Sequence, residues 1–492
     1  MRLLIWILVS AAVLGAQSAP VHGRRYNRLL IRNAIVVEGN GTPASGPRDI
    51  LIDQNRIAEI GPAARRTPAE AFIDAQGKYV LPGFINMHGH SHNERGGMAM
   101  PIEYVLKLWL SCGITTVRDV GGDFELTKKL RDGSRAGTVV APRMFVYPFF
   151  GRPRDPAAAS ARVRLLKEQG ADGIKIVGIH RDTMEAMMAE SHRLGLRVAQ
   201  HVGVEETNAA DCIRLKTTSI EHWYGIPDAA LPDAVQNFPP SYNYADEVDR
   251  FRYAGRLWRE ADPERLRKVL SGMVEAGIAW DPTLNIYEAS RDLQRAENKP
   301  EFLDYLHPAL AAFFRPSRDN HGSYFFGWTT ADEVYWKENY RIWMNALREF
   351  ARMGGTVTTG EDAGYIYQMY GFGYLRELEL QQEAGFHPLK VIQHATVNGA
   401  KVLGQAEQLG RVRAGWTADL IVVNGNPLEN FKILNPMGTD LLMDGKSTRG
   451  GGIEWTVKDG YAYHAPTLFR EVKDLVKQAR AQQGGKAGSS AR

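Results

Sequence analysis

Eight short β-like runs, separated by amphipathic helical stretches, constrain this chain more than any other feature of its sequence. They fall at 83–88, 115–121, 143–148, 173–178, 197–203, 218–222, 279–285 and 356–361, with helical segments such as 183–194 and 263–276 between them. Short apolar strands alternating with helices pair in parallel and cover their faces with those helices. Eight such units predict an α/β chain with a (β/α)8 TIM barrel over 83–405. Two connections, at about 223–262 and 287–345, are longer than a barrel requires and rich in Trp, Tyr and Phe, so ordered inserts are expected there. β-like runs at 29–37, 49–53 and 56–61 near one end, and at 418–423 and 455–461 near the other, predict a small β-sandwich domain formed by 27–82 together with 406–465.

In a TIM barrel the functional groups gather at the C-terminal ends of the strands. The first run ends on His88-Gly89-His90, two imidazoles spaced to share one side of a strand. The fourth carries Lys175 in an apolar setting, the fifth ends on His201, the sixth on His222 and the eighth on Asp362. Each alone has an ordinary structural explanation, a buried histidine or a lysine reaching for solvent. Six at matching ends of five strands point instead to a divalent metal site. An ammonium at Lys175 would repel cations. A lysine in an apolar, cationic setting loses its proton readily, and the neutral amine can take up CO2 as an anionic carbamate. A carboxylated Lys175 then bridges two divalent ions, Zn2+ by the nature of the donors, about 3.5–4 Å apart.

The remaining features bound the class. Among 492 residues, 44% are hydrophobic and 24% charged, and the net charge is only +4 with no groove-like Lys/Arg run, so nucleic acid is not a partner. Arg2 precedes the apolar run 3–14, and Ala16, Ser18 and Ala19 follow, which reads as a signal peptide over 1–19 and an exported, periplasmic or extracellular protein. No later segment is apolar enough for stable membrane insertion of the mature chain. Cys112 and Cys212 both lie in helix-like segments and are expected as buried, unpaired thiols. The stretch 478–492, rich in Gly, Ala, Ser, Lys and Arg, reads as a disordered tail.

The constellation resembles the amidohydrolase superfamily. The resemblance rests on the ligand set and on the lead-in Leu81-Pro82-Gly83-Phe84-Ile85. It rests also on Gly113-Ile114-Thr115-Thr116-Val117-Arg118-Asp119 and His394-Ala395-Thr396-Val397-Asn398-Gly399-Ala400. The closing Leu409-Gly410, Gly415 and Ala418-Asp419-Leu420-Ile421-Val422, with Gly425-Asn426-Pro427-Leu428, extends it over about 28–465. It looks most like the branch of imidazolonepropionase-like proteins and zinc-dependent Xaa-Pro dipeptidases. The resemblance implies that His88 and His90 hold the more buried metal and His201 and His222 the more exposed one. Lys175 bridges them, and Asp362 binds the buried metal. It implies hydrolysis of an amide, peptide-like or N-acyl, by a metal-bridging hydroxide with Asp362 as general base and acid.

Two departures from the branch bear on substrate. Where its dipeptidases commonly show Gly-Gly-His after the third strand, this chain has Tyr147-Pro148-Phe149-Phe150-Gly151-Arg152. A dipeptide with a free carboxylate is therefore not assured, and Arg152 is either an anion holder or a solvated loop residue. Strand eight reads Gly-Glu-Asp rather than Gly-Thr-Asp, which keeps Asp362 in register and turns Glu361 away. Tyr147, Arg152 and Tyr224 are the candidate substrate-binding residues. His180 is taken as loop. The aromatic inserts suit an apolar or aromatic small-molecule substrate and equally a homo-oligomer interface. A lactonase or carboxylic esterase is the rival on the same site. A non-catalytic assembly scaffold is the alternative from another class, and six competent ligand positions speak against it.

Overall fold

The computed structural model describes residues 19–201, 207–232, 238–243, 246–317, 320–322, 325 and 327–489. The expected signal peptide lies outside these residues except for Ala19, and so do residues 202 and 203 of the fifth expected strand.

The eight predicted strands are present, several of them shorter than expected. They are β1 (Phe84–Gly89), β2 (Ile114–Val120), β3 (Arg143–Tyr147), β4 (Gly173–Val177), β5 (Arg197–His201), β6 (Ser219–Glu221), β7 (Ala279–Asp281) and β8 (Thr356–Val357). All neighbours run parallel, in a three-stranded sheet of order β3-β2-β1 and a five-stranded sheet of order β4-β5-β6-β7-β8. β1 and β2 are buried at every position, as parallel strands covered on both faces must be. Backbone hydrogen bonds also join the edges of the two sheets. Asp172 N donates to Val146 O at 2.9 Å and Lys175 N to Pro148 O at 3.0 Å; on the other side Met87 N donates to Thr359 O at 2.9 Å and Asp362 N to His88 O at 2.8 Å.

Both chain ends build one further sheet of nine strands. Its path runs from Arg24–Arg25 through Tyr461–His464, Ile453–Lys458, Leu420–Val423, Tyr79–Pro82, Arg28–Val36 and Ser45–Asp53 to Arg56–Ile60, with Ala71–Asp74 on Arg28–Val36. Leu29, Ile31, Ile50, Ile52, Val80, Val422 and Val457 share a buried cluster there, so residues from both ends complete one apolar core. Tyr79–Pro82 leads through Gly83 directly into β1, which couples this sheet to the first metal-ligand candidates.

The inserts are ordered wherever they are described. Helix Thr330–Arg352 starts in a capping box between Thr329 and Asp332 and buries Trp336, Tyr340, Trp343, Leu347 and Phe350, one stripe at helical spacing. Tyr287 stacks on Trp336 with ring centroids 6.0 Å apart, so this helix backs the segment that follows β7.

The C-terminal tail departs from expectation. A helix spans Ala465–Ser489, continuing through most of the stretch whose composition suggested disorder. Leu468, Phe469, Val472 and Val476 are buried, and Arg480 donates to the carbonyls of Phe302, Leu303 and Leu306 at 2.6–3.1 Å. One apolar stripe and this arginine carry the helix past the point where residue type alone would end it. Cys112 and Cys212 are both buried and free. Among the described residues no helix is long and apolar enough to cross a membrane.

Candidate metal centre

Parallel pairing places Lys175 beside Ala199 and Val177 beside His201, so β4 and β5 deliver a lysine and a histidine to the same end of the sheet. His222 follows β6 by one residue, and Asp362 closes the seam against His88 through its backbone N–H. His222 (φ 62°), Thr283 (φ 45°) and Asp362 (φ 45°) all hold left-handed backbone without being glycine. Such conformations are costly and gather at functional sites. The crowding here is tight: a Cβ on Gly360 would lie 2.5 Å from both Asp281 Oδ1 and His88 Cβ.

The six predicted ligands meet. His88 Nε2 lies 3.4 Å from Lys175 Nζ and 3.7 Å from Asp362 Oδ1, and His90 Nε2 lies 2.9 Å from Asp362 Oδ1. His222 Nδ1 is 3.7 Å from Asp362 Oδ2 and 2.6 Å from Thr283 Oγ1. The His222 ring stands 4.7 Å from that of His88 and 4.6 Å from that of His201. One donor atom each from His88, His222 and Asp362 falls within 4.8 Å of the others, close enough to share a cation.

Electrostatics favour donors over charges. Burial, reinforced by the neighbouring Lys175, holds the His88 and His201 imidazoles well below their ordinary range, and burial together with the adjacent imidazoles does the same to His222. Neutral imidazoles are the form that binds metal. Burial also pushes the Lys175 ammonium down to about 8, against the opposing pull of Glu221 and Asp362. Four imidazoles, a carboxylate and a lysine primed to lose its proton form a nitrogen- and oxygen-rich donor set that fits zinc-like divalent ions.

Beneath the ligands lies a charged layer that sequence reasoning passed over. Glu221 and Arg118 are both 0% exposed, with Arg118 Nη2 at 2.7 and 2.9 Å from the two Glu221 oxygens. Glu221 Oε2 sits 2.7 Å from His88 Nδ1, and Ser219 Oγ donates to Glu221 Oε1 at 2.5 Å. A carboxylate on Nδ1 fixes that nitrogen as the protonated one and leaves the Nε2 lone pair facing Lys175 and Asp362. Asp281 is buried alongside and accepts from Thr358 at 2.7 Å, while its Oδ1 has no hydrogen-bond partner among the described residues. The only sequence signal for this layer was a glutamate at a strand position whose side chain faces inward.

Glu361 points away from the ligands as expected. Its carboxylate accepts from Trp109 Nε1 and from Gly371 N, and burial pushes it up to about 8. The three substrate candidates divide. Tyr224 lines the cavity above the ligands, with its ring stacked on His201 at 5.4 Å. Tyr147 does not: it is buried against Gly173 and under the Arg118 guanidinium, because its position on β3 turns it inward. Arg152 is exposed and outside the lining of that cavity, as is His180. The cavity has a volume of about 340 Å³. The two inserts supply much of its wall, Phe251 and Leu257 from the first and Tyr287 and His321 from the second, so at least the insert aromatics Phe251 and Tyr287 face the site.

The amidohydrolase family model matches residues 339–447. A 5-methylthioadenosine/S-adenosylhomocysteine deaminase from Thermococcus onnurineus is 41% identical over 63 residues, 13% of this chain and only 14% of that relative's length. The fold is similar to that of a solved Xaa-Pro dipeptidase with methionine bound in its active site, with TM-score 0.62, 21% identity and coverage of 89% of this chain and 100% of the other. A bottromycin amidohydrolase superposes with TM-score 0.66 at 19% identity, covering 93% of this chain and 92% of its own. Residues 339–447 thus match the amidohydrolase family model, and the fold as a whole is similar to those of an Xaa-Pro dipeptidase and a bottromycin amidohydrolase.

Proposed function

We propose that this chain is an exported, binuclear metal-dependent hydrolase that cleaves an amide bond, peptide-like or N-acyl, in a small molecule. The observation that carries the reading is the meeting of His88, His90, Lys175, His201, His222 and Asp362 at one end of eight parallel strands. We read those strands as a closed (β/α)8 barrel over 83–405, supported by the backbone hydrogen bonds at both seams. The nine-stranded sheet is read as a small sandwich domain, supported by the core that residues of both chain ends share. Export rests on the apolar run 3–14.

His88 and His90 would hold one divalent ion and His201 and His222 the other, with carboxylated Lys175 between them and Asp362 on the first. Bound there, such ions supply a nucleophilic water at neutral pH and polarise the scissile carbonyl. Glu221 orients His88 for this task, and Arg118 holds the Glu221 carboxylate in place. Asp362 reaches the centre of the cluster, where a carboxylate takes the proton of the attacking water and passes it to the leaving amine. The similar fold of an Xaa-Pro dipeptidase supports the peptide-like branch. The same residues would open a lactone or ester, which makes a lactonase or carboxylic esterase the second reading. A screen of the metal-loaded protein against Xaa-Pro dipeptides, N-acyl amino acids, aryl amides and lactones decides between them. Turnover of an amide is the expected result, and turnover of lactones alone would overturn the amide assignment.

A further inference from the structure

Phe149 is out of place for a structural residue. It follows β3 and is 47% exposed, the sole aromatic among the large hydrophobic side chains that stand exposed in the described residues. It also lines the cavity above the metal-ligand candidates. An exposed aromatic ring inside a cavity is an unusual use of apolar surface.

Its placement is built rather than incidental. The backbone of Phe149 bridges Lys175 directly: Lys175 N donates to Pro148 O at 3.0 Å and Phe150 N to Lys175 O at 2.8 Å. The ring lies on Gly121, where a Cβ would come within 2.4 Å of its edge. Gly121 itself is fixed at φ 101° and by its N–H to Tyr147 O at 2.9 Å. Only glycine leaves room for the ring to rest there. Phe149 therefore flanks Lys175 on one side of the site. Beyond His201, on the other side, Tyr224 stacks on that imidazole and meets Phe251 and Tyr287 edge-on, with centroids 5.6 and 5.7 Å away. Rings packed in this way form a rigid wall with little freedom to reshape around a ligand.

We infer that the cavity takes amides carrying a flat aromatic ring within one or two bonds of the scissile carbonyl, with Phe149 as the specificity-determining residue that stacks on it. This rests on the amide-hydrolase reading above for the bond that is cut. The ring site itself rests on the cavity.

The test uses a matched pair of substrates, N-benzoylalanine and N-acetylalanine, with benzamide as a binding probe for the metal-free protein. Wild type is expected to favour the benzoyl compound, and Phe149→Ala to cut that preference about tenfold, mainly through KM. Phe149→Tyr should restore it. Benzamide should bind wild type and Phe149→Tyr and bind Phe149→Ala at least several-fold more weakly. An equal loss on both substrates in Phe149→Ala, or unchanged benzamide affinity, overturns the inference while leaving amide hydrolysis intact. If neither substrate turns over yet benzamide binding depends on Phe149, the ring site stands and the hydrolase reading falls.

Discussion

Replacing Glu221 by Gln tests the layer beneath the ligands. Glu221 and Arg118 are each 0% exposed, and their contacts at 2.7 and 2.9 Å have no solvent to replace them. Arg118 also donates from Nε to Met87 O at 2.6 Å and from Nη1 to Ser219 Oγ at 2.9 Å, so it has no freedom to swing out to water. Removing one charge of a buried pair strands the other, at a cost of about 3–5 kcal/mol. Glutamine keeps the volume and part of the hydrogen bonding, so Glu221→Gln belongs at the lower end, about 3 kcal/mol. The assay is urea unfolding of the metal-free protein for Glu221→Gln, Arg118→Met and the double variant. Since either single change strands its partner, the double variant should lose clearly less than the sum of the two. Metal affinity supplies a second readout: His88 loses the anionic acceptor on Nδ1, and zinc binding should weaken about 10–100-fold. Single variants costing less than about 1 kcal/mol, strictly additive losses, or unchanged zinc affinity would refute the positioning role.

Other expectations follow from the same geometry. Lys175, held near 8 by burial rather than near its usual 10.5, has about 300 times more neutral amine below pH 8 than a free lysine. Only that neutral form reacts with CO2, releasing a proton as the carbamate forms, so at fixed dissolved CO2 the rate of metal uptake should rise as pH climbs from 7 through about 8 and then level off; a flat rate profile over that range would contradict it. The sign for stability is the same: the unfolded chain binds the extra proton between about 8 and 10.5, so Lys175 adds stability to the metal-free protein as pH rises through that window. Asp362→Asn keeps the shape and removes the proton acceptor, so steady-state kcat should fall about 10²–10⁴-fold with the fold retained by circular dichroism. Gly360→Ala drives a Cβ into Asp281 and His88 and should cost about 1–3 kcal/mol in thermal or urea unfolding.

The clustering of the candidate ligands was legible because strand periodicity and a shared rim are sequence-local signals. Each of His88, Lys175, His201 and His222 sits on or directly beside a short apolar strand, and knowing which end of the strands is functional was enough to assemble them. The layer below was not legible, since Arg118 and Glu221 lie 103 residues apart and an inward-facing ion pair leaves no local pattern. Tyr147, expected as a substrate contact, is not at the cavity, and Phe149, to which the sequence assigned no role, is. β3 ends at Tyr147 with its ring turned into the interior, and Phe149, two residues on, reaches the cavity. The tail misled because composition does not register the apolar stripe of Leu468, Phe469, Val472 and Val476 that anchors it.

Metal content per chain tests the central claim most directly. Protein loaded with zinc in the presence of bicarbonate and then desalted should carry about two ions per chain by elemental analysis, and Lys175→Ala should lose at least one of them together with amide turnover. One ion per chain in wild type, with Lys175→Ala fully active, would contradict the account.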